Sequence, residues 1–219
     1  MRDLLVTGTD TGVGKTVIAA ALVTVLRASG VRAVGFKPME TGIAPDEISD
    51  SSILARASGE HPDPARPLVS LPEAIAPALA AERAGISIDA DTIEDRISQL
   101  RRGGYTVVVE GAGGVMVPLL WDYTVLDLAQ NCDLDAVVVA RAGLGTLNHV
   151  AMTVMMLRSR EIPIRGIVLN GRLGSDDLAE STNPAALARM VPGLRIIEVP
   201  HDHSGAAVET AARIVHRLL

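Results

Sequence analysis

The stretch Leu4-Leu5-Val6-Thr7-Gly8-Thr9-Asp10-Thr11-Gly12-Val13-Gly14-Lys15-Thr16-Val17-Ile18-Ala19-Ala20 decides the fold of this chain. An apolar run breaks into a glycine-rich turn, and the turn ends in Gly-Lys-Thr at the start of a helical pattern. Strand, turn and helix in that order form the setting of a phosphate-binding loop. Gly12 and Gly14 let the backbone approach an anion, the helix N-terminus supplies aligned N–H dipoles, and Lys15 adds a formal charge. Thr16 is placed to put its hydroxyl on Mg²⁺. The spacing departs from the usual G-x-x-x-x-G-K-[ST], because Gly8 comes one residue early and Thr9 takes the expected place.

The rest of the basic inventory sharpens this reading. Of 20 lysines and arginines only Lys15 and Lys37 are lysine. Arginine is a rigid planar fork, whereas lysine is a compact point charge that can enter a crowded phosphate cradle. Lys37 follows the next apolar run, in Gly35-Phe36-Lys37-Pro38. The net charge of −6, with no basic run, speaks against a nucleic-acid surface. Apolar residues make up 48% and aromatics 2% of 219 residues, so the core is expected to be aliphatic. Cys132 is the one cysteine, which excludes an internal disulfide and suits a reducing compartment. No apolar stretch approaches the ~20 residues of a membrane span, and Met1-Arg2-Asp3 leads directly into a strand. A cytoplasmic protein with no membrane partner is expected.

Outward from the first strand, short apolar runs alternate with helical stretches. Strands are expected at Leu4–Thr7, Ala33–Phe36, Thr106–Val109, Ala136–Ala140, Gly166–Leu169 and Arg195–Val199. Helices are expected at Lys15–Ser29, Asp91–Arg102, Val125–Asn131, Thr146–Ser159, Pro184–Met190 and Ala206–Leu218. Continuous rather than alternating apolar runs mark strands buried on both faces of a parallel sheet. The pattern predicts a single α/β domain over 1–219 with a doubly wound, mainly parallel sheet. The segment Ala44–Glu73 reads as irregular, with a short helix near Ser51–Ala57.

Four further motifs carry polar groups to the carboxyl ends of these strands, where such sheets bind ligands. Glu110 ends the run Val107-Val108-Val109 and precedes Gly111-Ala112-Gly113-Gly114, so it can hold a phosphate-bridging metal beside a turn with open N–H groups. Lys37-Pro38-Met39-Glu40-Thr41-Gly42 points a second ammonium into the crevice of Lys15. Asp50 reads either as a helix N-cap or as a second metal carboxylate. Gly143-Leu144-Gly145-Thr146-Leu147-Asn148-His149 is a turn entering a helix, where Asn148 and His149 read equally as capping groups. His201 and His203 flank Asp202 without a third ligand and read as loop residues. Trp121 reads as an amphipathic loop anchor.

Taken together these pieces resemble the dethiobiotin synthetase family of P-loop NTPase architecture. The likeness rests on Gly8-Thr9-Asp10-Thr11, Val13-Gly14-Lys15-Thr16, Lys37-Pro38, Thr41-Gly42, Val109-Glu110-Gly111-Ala112-Gly113-Gly114 and Gly145-Thr146-Leu147-Asn148-His149. It implies ATP as co-substrate, Mg²⁺ as cofactor, and 7,8-diaminononanoate with CO2 as substrates. By position it implies Thr16, Asp50 and Glu110 as Mg²⁺ ligands, and Thr11, Gly12, Val13, Gly14, Lys15, Thr16 and Val17 around the phosphates. Lys37, Lys15 and Thr11 are the catalytic candidates. Gly111, Ala112, Gly113 and Gly114 would meet a carbamate, and Thr41 the substrate. Asn170 would read adenine, with Pro200, His201 and Asp202 closing over the base. The family also implies a homodimer, in which Leu144, Gly145, Thr146 and Asn148 reach the partner subunit's substrate. This chain departs from the family at Glu40, where a small or neutral residue is usual.

The rival reading is a P-loop switch ATPase of the kind that positions plasmids or division machinery. Such proteins carry a lysine at the position of Asp10, where an ammonium reaches across a dimer to the neighbour's nucleotide. An aspartate cannot do this, and the switch reading offers no task for Lys37.

Overall fold

The computed structural model describes residues 2–44, 48–59, 66–172, 177–202 and 204–219. Among the described residues six strands form one parallel sheet: β1 (Leu4–Gly8), β2 (Ala33–Phe36), β5 (Thr106–Gly114), β8 (Asp135–Arg141), β9 (Ile164–Arg172) and β10 (Ile196–Pro200). Their spatial order is β10-β9-β8-β1-β5-β2. From β1 the chain crosses to β2 at one edge and returns to β5 between them, then runs outward on the other side of β1 through β8, β9 and β10. The first strand therefore lies at the switch between the two halves, where open α/β sheets bind ligands. Two small pairs stand apart: β3 (Met39–Thr41) parallel to β4 (Val69–Leu71), and β6 (Pro118–Leu120) antiparallel to β7 (Tyr123–Thr124).

Alternate residues of each central strand serve opposite faces, and both faces are covered. Leu4, Val6, Val108, Val137, Val139 and Val168 pack under α1 (Lys15–Ala28), Leu54 of α2 (Asp50–Ser58), and α8 (Ala207–Val215). Leu5, Val107, Val109, Ala136, Val138 and Leu169 pack under α4 (Ala90–Arg102), α5 (Val125–Asn131), α6 (Thr146–Ser159) and Leu187 of α7 (Leu178–Met190). Such side chains stabilise by roughly 1.5–3 kcal/mol each when buried from water. Aliphatic residues supply nearly all of this core, as the composition requires. Phe36 is the largest fully buried side chain.

Several expectations need correction. Helix α7 begins at Leu178, not Pro184: the Asp177 carboxylate caps it by accepting from Ala179 N, and Pro184 lies inside. The last helix ends at Val215 and tightens into a 3-10 turn over His216–Leu218. An additional helix, α3 (Pro77–Arg83), starts with proline at its first position, where the missing N–H costs nothing. The segment Ala44–Glu73 contains α2 and β4, and its residues 45–47 and 60–65 lie outside the described residues, as does His203.

Residues Gly111–Gly114 form the end of β5 rather than a turn. Val6 pairs with Glu110 and Gly8 with Gly114, so Thr7 alone faces three residues of β5. That bulge turns the strand end towards the phosphate loop. A Cβ at Gly8 would stand 2.7 Å from Asp10 O and 3.0 Å from Gly113 O, so glycine is required at this crossing.

Candidate active site

Five polar side chains from four elements meet at the C-terminal end of β1. Lys15 and Thr16 open α1, Lys37 leaves β2, Asp50 opens α2, and Glu110 lies in β5. Thr16 Oγ1 lies 2.8 Å from Asp50 Oδ1 and 2.9 Å from Glu110 Oε1. The Lys37 ammonium donates to Glu110 Oε1 at 3.0 Å and also bonds Asp50 Oδ2. Lys15 Nζ curls back over its own loop and donates to Asp10 O at 3.1 Å. Glu110 is 1% exposed, and its Oε2 has no hydrogen-bond partner among the described residues.

The two lysines are tuned in opposite directions. Burial, the largest influence on Lys15, lowers its pKa below the ordinary lysine value, against the attraction of Glu110. Burial also opposes the charge on Lys37, but Glu110 and Asp50 outweigh it and hold that pKa above normal. Burial would raise Asp50 too, yet the adjacent Lys37 charge and hydrogen bond hold its carboxyl below its ordinary value. Glu110 is pushed up, first by burial and then by the Asp50 charge, despite the pull of Lys37. One ammonium shared between two carboxylates stabilises the more open Asp50 as the anion and leaves Glu110 the more easily protonated.

Asp50 is the first residue of α2 and not its cap. Ser49 holds the cap position, its hydroxyl accepting from Ser52 N. A residue without an assigned task secures this helix end: Glu40, 2% exposed, accepts from Ser51 N and Ser51 Oγ, each at 2.8 Å. Glu40 thus anchors the turn that presents Asp50. The pairing spans 11 positions, so no local motif announces it.

A cleft of ≈ 680 Å³ opens over these groups. Of the expected site residues, Thr11, Gly12, Gly14, Lys15, Thr16, Val17, Lys37, Thr41, Asp50, Glu110, Ala112 and Gly113 line it. Met39, Ile53, Ile75 and Val117 add an apolar wall. No local pattern marks them as a group, because β3, α2, the segment leading into α3 and the turn after β5 bring them there.

Other expected residues stand elsewhere. Val13 is buried in the core, Gly111 lies under Val125, and Gly114 packs on Gly8. Asn170 sits on the far side of the phosphate loop, its Nδ2 donating to Val13 O at 3.0 Å. Pro200, His201 and Asp202 follow at the end of β10, beside the strand of Asn170. Leu144, Gly145 and Asn148 are exposed, outside the cleft of their own chain. Thr146 is 1% exposed, and its hydroxyl has no hydrogen-bond partner among the described residues. Asn148 and His149 do not cap α6, since Gly145 holds that position with φ +93° and no side-chain bond. Trp121 donates from Nε1 to Glu82 at 2.6 Å and is 64% exposed, which suits a loop anchor.

Among the described residues no three or more His, Cys, Asp and Glu side chains gather as a metal cluster. Two carboxylates and one hydroxyl are instead a hard oxygen set of the kind that holds Mg²⁺ together with phosphate oxygens. The orphaned Glu110 Oε2 is an acceptor available to such a cation. No described helix is long and apolar enough to cross a membrane.

The comparisons agree with this geometry. A family model described as "AAA domain" matches residues 2–207. ATP-dependent dethiobiotin synthetase BioD of Anaeromyxobacter sp. (strain Fw109-5) is 44% identical over 191 residues, covering 87% of this chain and 86% of that protein. The protein of that name from Aquifex aeolicus (strain VF5) is 36% identical over 207 residues, covering 91% and 92%. Among solved structures, the septum site-determining protein MinD complexed with Mg-ADP from Pyrococcus horikoshii OT3 superposes with a TM-score of 0.57 at 17% identity, covering 100% of this chain and 94% of that one. A ParA family ATPase from Chlorobium tepidum TLS gives 0.56 at 15%, covering 97% and 90%. At those identities the likeness carries the P-loop fold and not the switch function. Asp10, where the switch reading needs a lysine, here pairs with Arg141 at 2.7 Å. The sequence relatives, the cleft and the paired lysines converge, and the chain belongs to the dethiobiotin synthetase family.

Proposed function

We propose that the cleft carries out ATP-dependent ring closure of 7,8-diaminononanoate with CO2, giving dethiobiotin, from one P-loop domain over residues 1–219. The supporting observation is the convergence of Lys15, Lys37, Asp50, Glu110 and Thr16 on a phosphate loop beside an apolar wall, in a chain 44% identical to a dethiobiotin synthetase. One amine of the substrate adds to CO2 and loses a proton, forming a carbamate. A carbamate oxygen attacks the γ-phosphorus of ATP and ADP leaves, so the product is a carbamic–phosphoric anhydride. The second amine attacks the anhydride carbon, phosphate departs, and a cyclic urea closes.

The residues answer the difficulty of the middle step, which is that carbamate and triphosphate are both anions. Thr11 to Val17 hold the phosphates through loop and helix-end N–H groups. Thr16, Asp50 and Glu110 would hold Mg²⁺, which supplies charge neutralisation at the phosphoryl group when bound. Lys37 and Lys15 stabilise the charge shared between carbamate and phosphoryl oxygens, a preorganised contribution that grows towards the transition state. Amides of Ala112 and Gly113, the members of the Gly111–Gly114 run that line the cleft, meet the carbamate, and Thr41 touches the substrate. Met39, Ile53, Ile75 and Val117 suit its aliphatic chain. Asn170 and Pro200 to Asp202 face the base.

The substrate site is completed by a second copy of the chain. Leu144, 91% exposed, and Met152 and Met155, 48% and 64% exposed, share with Asn148 one face of α6 and its entry turn. An apolar strip of this kind beside a substrate-binding segment suits a homodimer contact. Phosphate release from MgATP and bicarbonate, with and without the diamino acid, tests the reading. Release that requires the diamine, with one cyclic urea formed per phosphate, is expected. Slow release indifferent to the diamine would return the chain to the switch ATPases.

A further inference from the structure

Asn170 has a second relationship, with the phosphate loop itself. It lies near the end of β9, paired with Arg141 of β8 and Val199 of β10, and it stands outside the lining of the cleft. Its Nδ2 donates to Val13 O at 3.0 Å, across 157 positions of sequence. A carbonyl accepts only from a donor, so the carboxamide is oriented with nitrogen towards the loop and Oδ1 left to accept elsewhere.

The contact is close on the loop side as well. Gly14 has φ +91° and caps α1 with no side-chain hydrogen bond. A Cβ there would stand 2.0 Å from Asn170 Nδ2, so the amide takes the space that any side chain at position 14 would need. In a planar trans peptide the carbonyl of Val13 and the N–H of Gly14 point in opposite directions. Holding Val13 O on the Asn170 side therefore turns the Gly14 N–H to the other side, and Gly14 is a residue that lines the cleft.

We propose that Asn170 is a positioning residue for the phosphate loop: by fixing the Val13–Gly14 peptide it aims the Gly14 N–H at the phosphates, independently of any contact with the base. This rests on the phosphate-loop reading above. It makes Asn170 the joint between the base end and the phosphate end of the nucleotide site, since Oδ1 remains to accept from an amino group while Nδ2 holds the loop.

The test uses a ligand without a base. Magnesium tripolyphosphate and MgATP are titrated by calorimetry into the wild-type protein, Asn170→Ala and Asn170→Asp. The aspartate is nearly isosteric and keeps the strand end filled, but it sets a carboxylate with no proton against the Val13 carbonyl. Both variants are expected to weaken tripolyphosphate as well as ATP, by about fivefold or more, the size of one net hydrogen bond. Binding of 7,8-diaminononanoate without nucleotide should not change, which separates loop positioning from general loss of structure. Tripolyphosphate affinity within twofold of wild type in both variants, with ATP alone weakened, overturns the proposal and leaves a base reader. A parallel loss of diamine binding overturns it as well. Wild-type protein that takes up neither phosphate ligand refutes the phosphate-loop reading itself, and this role with it.

Discussion

Lys37 and Glu110 are consecutive in register on neighbouring strands: Phe36 pairs with Val109, and the next residues place Nζ 3.0 Å from Oε1. Both are buried, at 8% and 1% exposure. The parallel pairing of β2 with β5 therefore builds the ion pair, and no loop has to find it. Removing one member of a buried pair costs about 3 kcal/mol, because the other charge is left uncompensated. Lys37→Met should lower unfolding stability by about that amount at neutral pH in the absence of Mg²⁺, and added Mg²⁺ should restore much of it. Turnover should fall by about 100-fold or more, while MgATP still binds, since in the proposed mechanism the charge matters most as the anhydride forms. Urea denaturation with and without Mg²⁺, together with steady-state rates, checks both parts. Undiminished turnover would remove Lys37 from the reaction.

Glu40 holds Asp50 without touching the reacting groups. It accepts both the N–H and the hydroxyl of Ser51, fixing the first turn of α2. Glu40→Ala should cost about 1–2 kcal/mol of stability, as lost caps do. It should also raise the Mg²⁺ concentration needed for half-maximal rate, while Glu40→Gln, which keeps an acceptor oxygen, should be milder on both counts. A Mg²⁺ dependence that does not move in Glu40→Ala would limit Glu40 to stability.

Much of this is legible in the sequence. The strands announced themselves because runs such as Val107-Val108-Val109 are apolar without alternation, as burial on both faces demands. Helices α5 and α6 have the bounds expected from the pattern, since Thr124 and Gly145 mark clear starts. The phosphate loop, Lys37, Asp50 and Glu110 sit where strand ends should put them. Hidden were contacts set by tertiary pairing: three-residue strands β3 and β4 with no period to read, the bulge beyond Glu110, the Glu40–Ser51 cap, and Asn170 on Val13. Pro184 misled by its preference for a helix start, when Asp177 already capped the helix seven residues earlier.

Two glycines of the phosphate loop should differ sharply under one substitution. Gly12 has φ +73° with no described residue within 4 Å of an added Cβ, whereas Gly14 has φ +91° and Asn170 Nδ2 at 2.0 Å. Gly12→Ala bears only the left-handed strain, about 1–2 kcal/mol, and should fold and bind MgATP. Gly14→Ala bears strain and collision together, so the Asn170 amide must swing away and give up its bond to Val13 O. MgATP binding should be lost at concentrations that saturate Gly12→Ala, as calorimetry would show. Equal behaviour of the two variants would mean that the loop moves freely around position 14.

Cys132 offers a pH test remote from the cleft. It ends α5, is 4% exposed, and burial pushes its thiol up to about 11. The folded protein thus holds this proton more tightly than the unfolded chain, whose thiol titrates near ~8.5. The sign follows: the contribution to stability is fully present below about 8.5 and disappears as pH rises towards 11. At pH 8 a disulfide reagent should leave the native thiol untouched and label it at once in denaturant, because the thiolate is the reacting form. Cys132→Ala should lose a little stability at pH 7 and flatten the decline between pH 9 and 11. Rapid labelling of native protein at pH 8 would show that the segment opens locally without unfolding, and that burial does not protect the thiol.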